Sequence, residues 1–303
     1  MKTTKLFKPF YRFSFAASAA SCGLLSFLKD EQRSFDEIAH YFSPSFDETL
    51  APSLRAWLQL GVRLGELGER DGRYFAKSLL AQNFAKEKND DVAALAEEVV
   101  TMHHRLIFET PALLRAGKQW TMDDQNGMVI ARSSRIMSPF IFQTIDWAIP
   151  KDQPLRLLEV GCGSGVYIKY AAERNPNLQI TGLEYQAEVA DAARLSLKTT
   201  DLSNRITIKA ADIRNLPEDE RFDVITLFNL IYYFPVEDRL SLFKKIAKHL
   251  NPGGRIVLST SCRGGSPGME VLNLWSSSTK GCGALPTSDE MKEQLENAGL
   301  VNI

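Results

Sequence analysis

Between Leu155 and Ala172 the chain reads LRLLEVGCGSGVYIKYAA. An apolar run ends in Gly161, Gly163 and Gly165 and then turns amphipathic, the pattern of a buried strand, a tight loop and a helix. Such a loop can meet the pyrophosphate of a dinucleotide or another adenosine-bearing ligand. A dinucleotide loop carries G-x-G-x-x-G, with the third glycine where helix and strand pack. Here the spacing is G-x-G-x-G, and Val166 occupies the place of that glycine. Glu159, two residues before the first glycine, sets a carboxylate in an apolar strand, where a charge is costly unless it is partnered. A pyrophosphate beside it would add repulsion; a cationic ligand bearing an amino group would not.

Further residues able to do chemistry follow at the ends of apolar runs. Glu184 closes ITGLEY, Asp212 and Ile213 lie in AADIRNLP, and Asn229, Leu230, Tyr232 and Tyr233 lie in FDVITLFNLIYYF. Strands are expected at 155–161, 179–185, 205–210, 223–228 and 255–260, and helices at 167–174, 187–198, 236–250 and 288–298. Apolar strands alternating with amphipathic helices specify a Rossmann-like, doubly wound, mostly parallel α/β sheet.

LLEVGCGSG resembles the first motif of the class I S-adenosylmethionine (SAM)-dependent methyltransferases, and Glu184, Asp212 and HLNPGGRIVLS follow in that family's order. The resemblance implies that Glu159, Gly161, Gly163 and Gly165 hold SAM and release S-adenosylhomocysteine (SAH). It gives Glu184 the ribose hydroxyls, with Tyr185 beside it, and Asp212 the adenine amino group, with Ile213 beside the ring. Asn229 and Leu230 then lie at the edge between cofactor and substrate.

The N-terminal half extends the likeness. SFDEIAHYF carries a capping-box pattern, Ser34 with Glu37. A helix starting near Pro52 leads to a turn at Gly65 or Gly68 and a hairpin with Asp71-Gly72 at its tip. Three helices followed by a two-stranded wing are the winged-helix order. The third helix carries only Arg55 and Arg63 as cations, whereas a recognition helix brings more basic and amide groups to the groove, so dimerisation is the expected role. The whole arrangement resembles the small-molecule O-methyltransferases of plant phenolic and bacterial natural-product pathways. That implies residues 1–88 as a homodimerising winged-helix domain and 89–150 as a helical linker roofing the substrate pocket with helices at 91–115 and 127–148. Residues 151–303 are then the SAM-binding domain.

The sequence also departs from that family. Plant-type members have a histidine base after the fourth strand, followed by aspartate; here Tyr233 and Phe234 stand in those places. Tyrosine, with an ordinary pKa near ~10, is a poor base at neutral pH but can orient a hydroxyl. Methyl transfer to a positioned acceptor can run on proximity and alignment, which leaves oxygen, carbon and nitrogen acceptors open. His103 or His104 is a second catalytic candidate; adjacent on one helix, the two point roughly 100° apart. His249 suits a helix C-terminus, and His40 reads as structural. Arg132 and Arg135 either reach a ligand carboxylate or stay solvated. The glycine-rich stretch from Ser261 to Thr287 reads as a long loop forming part of a substrate lid, with Trp275 in the pocket or core. Tyr232, Tyr233 and Trp275 are the substrate-pocket candidates. Family members continue through a sixth and an antiparallel seventh strand, whereas this sequence stops at Val301-Asn302-Ile303, so the expectation is either a truncated edge or a family edge replaced, for instance by a partner.

Bulk properties narrow the partners. The 303 residues are 44% hydrophobic and 24% charged, with a formal net charge of -1. That is ordinary for a globular chain and gives no electrostatic footprint for nucleic acid or an anionic membrane. Cys22, Cys162, Cys262 and Cys282 are too scattered for a zinc site or disulfide framework and read as reduced thiols of a cytoplasmic protein. No carboxylate–histidine cluster suggests a metal. The N-terminal MKTTKLFKPFYRFSFAASAASCGLL loosely resembles a secretory signal, but Tyr11, Arg12 and Ser14 break the apolar core that a signal needs. The expectation is a homodimeric methyltransferase of a small, aromatic or apolar molecule. Its rivals are a SAM-dependent reaction other than methylation and a winged-helix regulator that senses SAM or a metabolite.

Overall fold

A computed structural model describes residues 2–198 and 200–303. The chain separates into two compact units, Met1–His104 with Arg132–Ile136, and Arg105–Ala131 with Met137–Ile303. Residues 89–150, expected as a linker, are therefore shared between the two units rather than forming a body of their own.

In the first unit, α1 (Lys2–Ser21) and α2 (Leu24–Phe27) precede β1 (Arg33–Ser34), α3 (Phe35–Phe42) and α4 (Ala51–Leu64). Then come β2 (Leu67–Arg70), β3 (Arg73–Ala76), α5 (Leu79–Phe84) and α6 (Asp90–Glu98). The Ser34–Glu37 capping box starts α3: the Glu37 N–H donates to Ser34 Oγ at 3.3 Å, and the Ser34 N–H to the Glu37 carboxylate at 2.7 Å. Beyond the expected two-stranded wing, β1 adds a third antiparallel strand, in the order β1-β3-β2. Phe15, Ala16, Leu24, Leu25, Ile38, Leu58 and Leu67 form the core beneath it. Glu66 is wholly buried; its carboxylate accepts from Arg12 at 2.6 Å and from the Ser78 hydroxyl, the partnering that a buried charge requires.

The expected 91–115 helix is interrupted. After α6 a π turn spans Val99–His103 before α7 (His104–Arg115) resumes. The extra residue in that turn rotates the helix faces relative to an unbroken helix. A 3-10 turn at Ser134–Met137 likewise separates α8 (Gly127–Ser133) from α9 (Ser138–Ala148).

The second unit carries β4 (Arg156–Val160), α10 (Val166–Arg174), β5 (Gln179–Glu184), α11 (Ala187–Lys198), β6 (Ile206–Ala210) and β7 (Phe222–Phe228). It continues with α12 (Val236–Lys248), β8 (Leu250–Ser259), α13 (Pro267–Ser278) and α14 (Ser288–Asn297). Five strands pair in parallel in the order β6-β5-β4-β7-β8. Apolar side chains cover both faces: Leu157, Ile168, Ile180, Ala190 and Val224 on one, Leu158, Val160, Leu183, Phe243 and Ile246 on the other. The order reverses direction between β5 and β7 on either side of β4, the crevice where open α/β sheets bind ligands beyond the carboxyl ends of their strands.

The expected loop at 261–287 is corrected: α13 occupies twelve of its residues. Ser266 and Pro267 give an ordinary helix start, and Trp275 and Ser276 supply a buried face. The glycines on either side, not the segment itself, carry the loop composition. Among the described residues, no helix is long and apolar enough to cross a membrane.

Candidate functional site

The glycine loop sits at the carboxyl end of β4, and its backbone is almost fully committed. The Gly161 and Cys162 N–H groups donate to the Leu183 carbonyl at 2.8 and 2.9 Å, and the Gly165 N–H to the Cys162 carbonyl at 2.9 Å. The Gly163 N–H donates to the Glu184 carboxylate at 3.0 Å. A pyrophosphate cradle is made of loop N–H donors, and four of this loop's donors are already engaged within the protein. Gly163 has a φ of 52° and open space where a Cβ would stand, so the backbone is bare on that side.

Glu184 ends β5 with one oxygen on the Gly163 N–H and the other on the Gln186 N–H at 2.9 Å. A carboxylate has about four lone-pair sites, so this one retains capacity for two further donors. Tyr185 next to it is exposed. Glu159 lies inside β4, 2% exposed, with its Oε1 buried and lacking a hydrogen-bond partner. Burial holds its carboxyl well above the ordinary range. Burial also pushes up the Cys162 thiol, with the Glu159 and Glu184 charges adding to it, so that thiol is inert.

Asp212 caps the 3-10 turn at Ile213–Asn215. Burial alone would raise its carboxyl, but hydrogen bonds and charge from Arg214 outweigh burial and hold it below the usual range. Ile213 is buried beside it. Asn229, in left-handed backbone at φ 52°, ends β7 with its N–H on the Ser259 carbonyl at 2.7 Å. Leu230 follows and packs against Gly161.

Tyr232 and Tyr233 lie on a 3-10 turn, Ile231–Tyr233, and both face α13. The Tyr233 ring centroid is 5.3 Å from that of Trp275, and Tyr232 meets the same indole edge-on at 6.4 Å. Trp275 is 3% exposed, which places it in the interior. The Gln125 amide donates to the Tyr233 hydroxyl at 3.4 Å. Arg239, 1% exposed, donates to the Phe234 carbonyl at 3.2 Å and to the Ala284 carbonyl at 2.7 Å, fastening the chain after α13 to this turn. The Gly283 N–H adds a bond to the Tyr232 carbonyl at 3.0 Å. The Trp120 N–H donates to Ser278, and the Lys280 N–H returns to Trp120 at 2.8 Å, so the 118–127 stretch is tied to the end of α13.

His103 and His104 belong to the first unit. His103 pairs with Glu98 at 2.9 Å, and the His104 ring stands 5.5 Å from Phe10. Arg132 and Arg135, about a third exposed, hold carboxylates of the first unit. Asp90 takes both, with Arg132 at 2.5 Å, and Glu97 takes Arg132 at 3.2 Å. His249 ends α12 as expected but is buried, with Nδ1 at 2.9 Å from the Glu220 carbonyl. Sequence reasoning passed over Gln125, Gln186, Arg214 and Arg239. Of these, Arg239 carried a signal, since it shares the apolar stripe of α12 with Leu242, Phe243 and Ile246.

A family profile described as a methyltransferase domain matches residues 133–303, more than half of the chain. Demethylspheroidene O-methyltransferase of Rhodobacter capsulatus is 25% identical over 183 residues, 59% of this chain and 44% of that protein. The mitochondrial ubiquinone biosynthesis O-methyltransferase of Candida albicans is 32% identical over 113 residues, 37% of this chain and 34% of that protein. The chain thus spans less than half the length of each of these curated relatives. Among solved structures, the mitomycin 7-O-methyltransferase MmcR superposes with a TM-score of 0.74 at 18% identity, covering 98% of this chain and 91% of that one. Human N-acetylserotonin methyltransferase in complex with SAM gives 0.71 at 16%, covering 100% and 93%. PigF with SAH gives 0.75 at 19%, covering 99% and 94%. At these identities the likeness is one of fold, and the parallel order β6-β5-β4-β7-β8 is the class I methyltransferase sheet. The family match runs over the same residues that build this sheet and its glycine loop, and the chain belongs to the methyltransferase-domain family.

Proposed function

We propose that the chain is a SAM-dependent methyltransferase of a small, aromatic or apolar molecule, releasing SAH. The observation that carries the cofactor is the engagement of the loop donors. With Gly161, Cys162, Gly163 and Gly165 N–H groups bonded internally, the loop offers little to a pyrophosphate. Its carboxylates Glu159 and Glu184 instead favour a ligand with hydroxyl and ammonium donors. In this reading Glu184 takes the ribose hydroxyls, Glu159 and the bare Gly163 side border the amino-acid end, and Asp212 and Ile213 border the adenine. Asn229 and Leu230 stand between the cofactor and the acceptor. SAM, when bound, supplies an electrophilic methyl group on its sulfonium.

The chain's own residues then bind and align the acceptor. Tyr232, Tyr233 and Trp275 offer an aromatic wall, and Gln125 fixes the Tyr233 hydroxyl as an orienting group. Support for a small acceptor comes from the relatives, whose names are those of natural-product and quinone O-methyltransferases. The N-terminal unit is read as a winged-helix dimerisation domain, and the four free cysteines suit a reducing, cytoplasmic setting. Two cations of α4 and the wing are engaged inside the unit: Arg55 lies 3.6 Å over the Phe35 ring, and Arg73 bonds Gln32 and Glu37. That favours dimerisation over nucleic-acid binding.

Calorimetric titration of SAH and of NAD into wild type tests the cofactor, followed by a labelled-methyl assay against phenols, quinols and amines. Micromolar SAH binding without NAD binding is the expected outcome. NAD binding, or no adenosyl binding by folded protein, would overturn the reading.

A further inference from the structure

The Asp212 carboxylate is already occupied. Its Oδ1 accepts from the Arg214 N–H at 2.8 Å and from Arg214 Nε at 3.1 Å; its Oδ2 accepts from Nε at 2.9 Å and from Nη2 at 2.6 Å. A purine amino group arriving at that carboxylate meets a guanidinium in its place. The Asp212 side chain is 14% exposed and that of Arg214 58%, so the acid is sheltered while its cover stands in solvent.

The cover can leave without moving the backbone. Lys245 from α12 holds the Arg214 carbonyl, the Ala211 N–H holds Glu184 at 2.9 Å, and the Asn215 N–H closes the turn on Asp212. Only the side chain needs to swing. While it covers Asp212, its guanidinium carbon also lies 5.8 Å from the Phe234 ring centroid, and Asp238 and Tyr185 act on its charge, so a small swing keeps it near an aromatic face and an acid.

We infer that Arg214 masks Asp212 and sets the choice of purine: it competes with an amino group at that position and accommodates a carbonyl group. This rests on the assignment of Asp212 to the adenine edge. The physical basis is complementary hydrogen bonding. A carboxylate accepts from the amino group of adenine and repels the carbonyl oxygen of hypoxanthine; a guanidinium does the reverse. An exposed pair of this kind is weak, so the mask tunes affinity rather than blocking it.

The experiment is calorimetry of SAH and S-inosylhomocysteine with wild type, Arg214→Ala and Asp212→Ala. Arg214 is exposed, so its truncation leaves the fold intact. In Arg214→Ala, SAH should bind about two- to fivefold more tightly, the strength of an exposed ion pair. Inosyl binding should weaken, so that the ratio of the two dissociation constants rises by about tenfold. Weaker SAH binding, or an unchanged ratio, overturns the inference while leaving the cofactor reading in place. Asp212→Ala should lose the discrimination between the two ligands. If it keeps wild-type SAH affinity and discrimination, the assignment of Asp212 falls, and the inference with it.

Discussion

Gly163 and Glu184, twenty-one residues apart, share a hydrogen bond of 3.0 Å that joins the loop after β4 to the tip of β5. One carboxylate thereby shapes the loop and, in the proposed reading, receives the ribose. Glu184→Gln retains the size but has a single acceptor oxygen for the Gly163 and Gln186 N–H groups. SAH affinity should fall by about tenfold to a hundredfold, the scale of one or two charge-assisted bonds. Titration calorimetry reads the loss, and hydrogen exchange at Gly163 should rise alongside it.

The two glycines of the loop separate folding from binding. An alanine Cβ at Gly161 would stand 2.7 Å from Leu230 Cδ1 at a φ of 72°, whereas at Gly163 it meets nothing within 4 Å. Gly161→Ala should destabilise by about 2 kcal/mol through strain and overpacking. Gly163→Ala carries only the backbone term of about 1 kcal/mol, yet should lose most SAH binding. Thermal melts with and without SAH distinguish the two.

Glu159 gives a pH dependence whose sign is fixed. Its folded carboxyl titrates well above the unfolded one because of burial. The native state therefore holds the proton longer, and the stability it contributes is full below the ordinary carboxyl range and is lost as pH rises through the folded value. Relative to wild type, Glu159→Gln should gain stability as pH rises above about 4.5, by at most about 1.4 kcal/mol per pH unit. Denaturant titrations from pH 4 to 8 measure it. Binding of an ammonium-bearing ligand should also release a proton in wild type, visible as a buffer-dependent enthalpy that the variant lacks.

Tyr233→Phe tests an orienting role against a basic one. Loss of one neutral hydrogen bond predicts a drop of about three- to tenfold in kcat with an unaltered pH–rate profile. Gln125→Ala should act in the same direction, since its amide meets the same hydroxyl. A flattened alkaline limb in Tyr233→Phe would instead identify the phenol as the base.

The sheet was legible because its signals are strong and local. Short apolar runs closed by glycine or acid fall within a residue or two of β4 to β7, and the capping pattern at Ser34 starts α3. α13 was missed because the glycines at 264, 265, 281 and 283 swamp the short apolar stripe that contains Trp275. The partners of Arg132 and Arg135 were out of reach, since Asp90 lies more than forty positions away and only the folded chain brings it close. The mask on Asp212 is two positions away, but a near neighbour in sequence says nothing of which rotamer a side chain adopts.

The glycine loop, spent on internal backbone bonds, and the aromatic turn, built from side chains, divide the site into halves with different freedom to vary. Main-chain geometry tolerates drift in most side chains around it, so long as the loop glycines and Glu184 persist. Tyr232, Tyr233, Gln125 and α13 have no such shelter: in the proposed reading, each substitution there alters the wall that an acceptor meets. On the proposed reading, a lineage carrying this scaffold can change acceptors by point substitution while its handling of the adenosyl ligand stays constant, and directed evolution of this chain should begin on α13 and the 118–127 stretch.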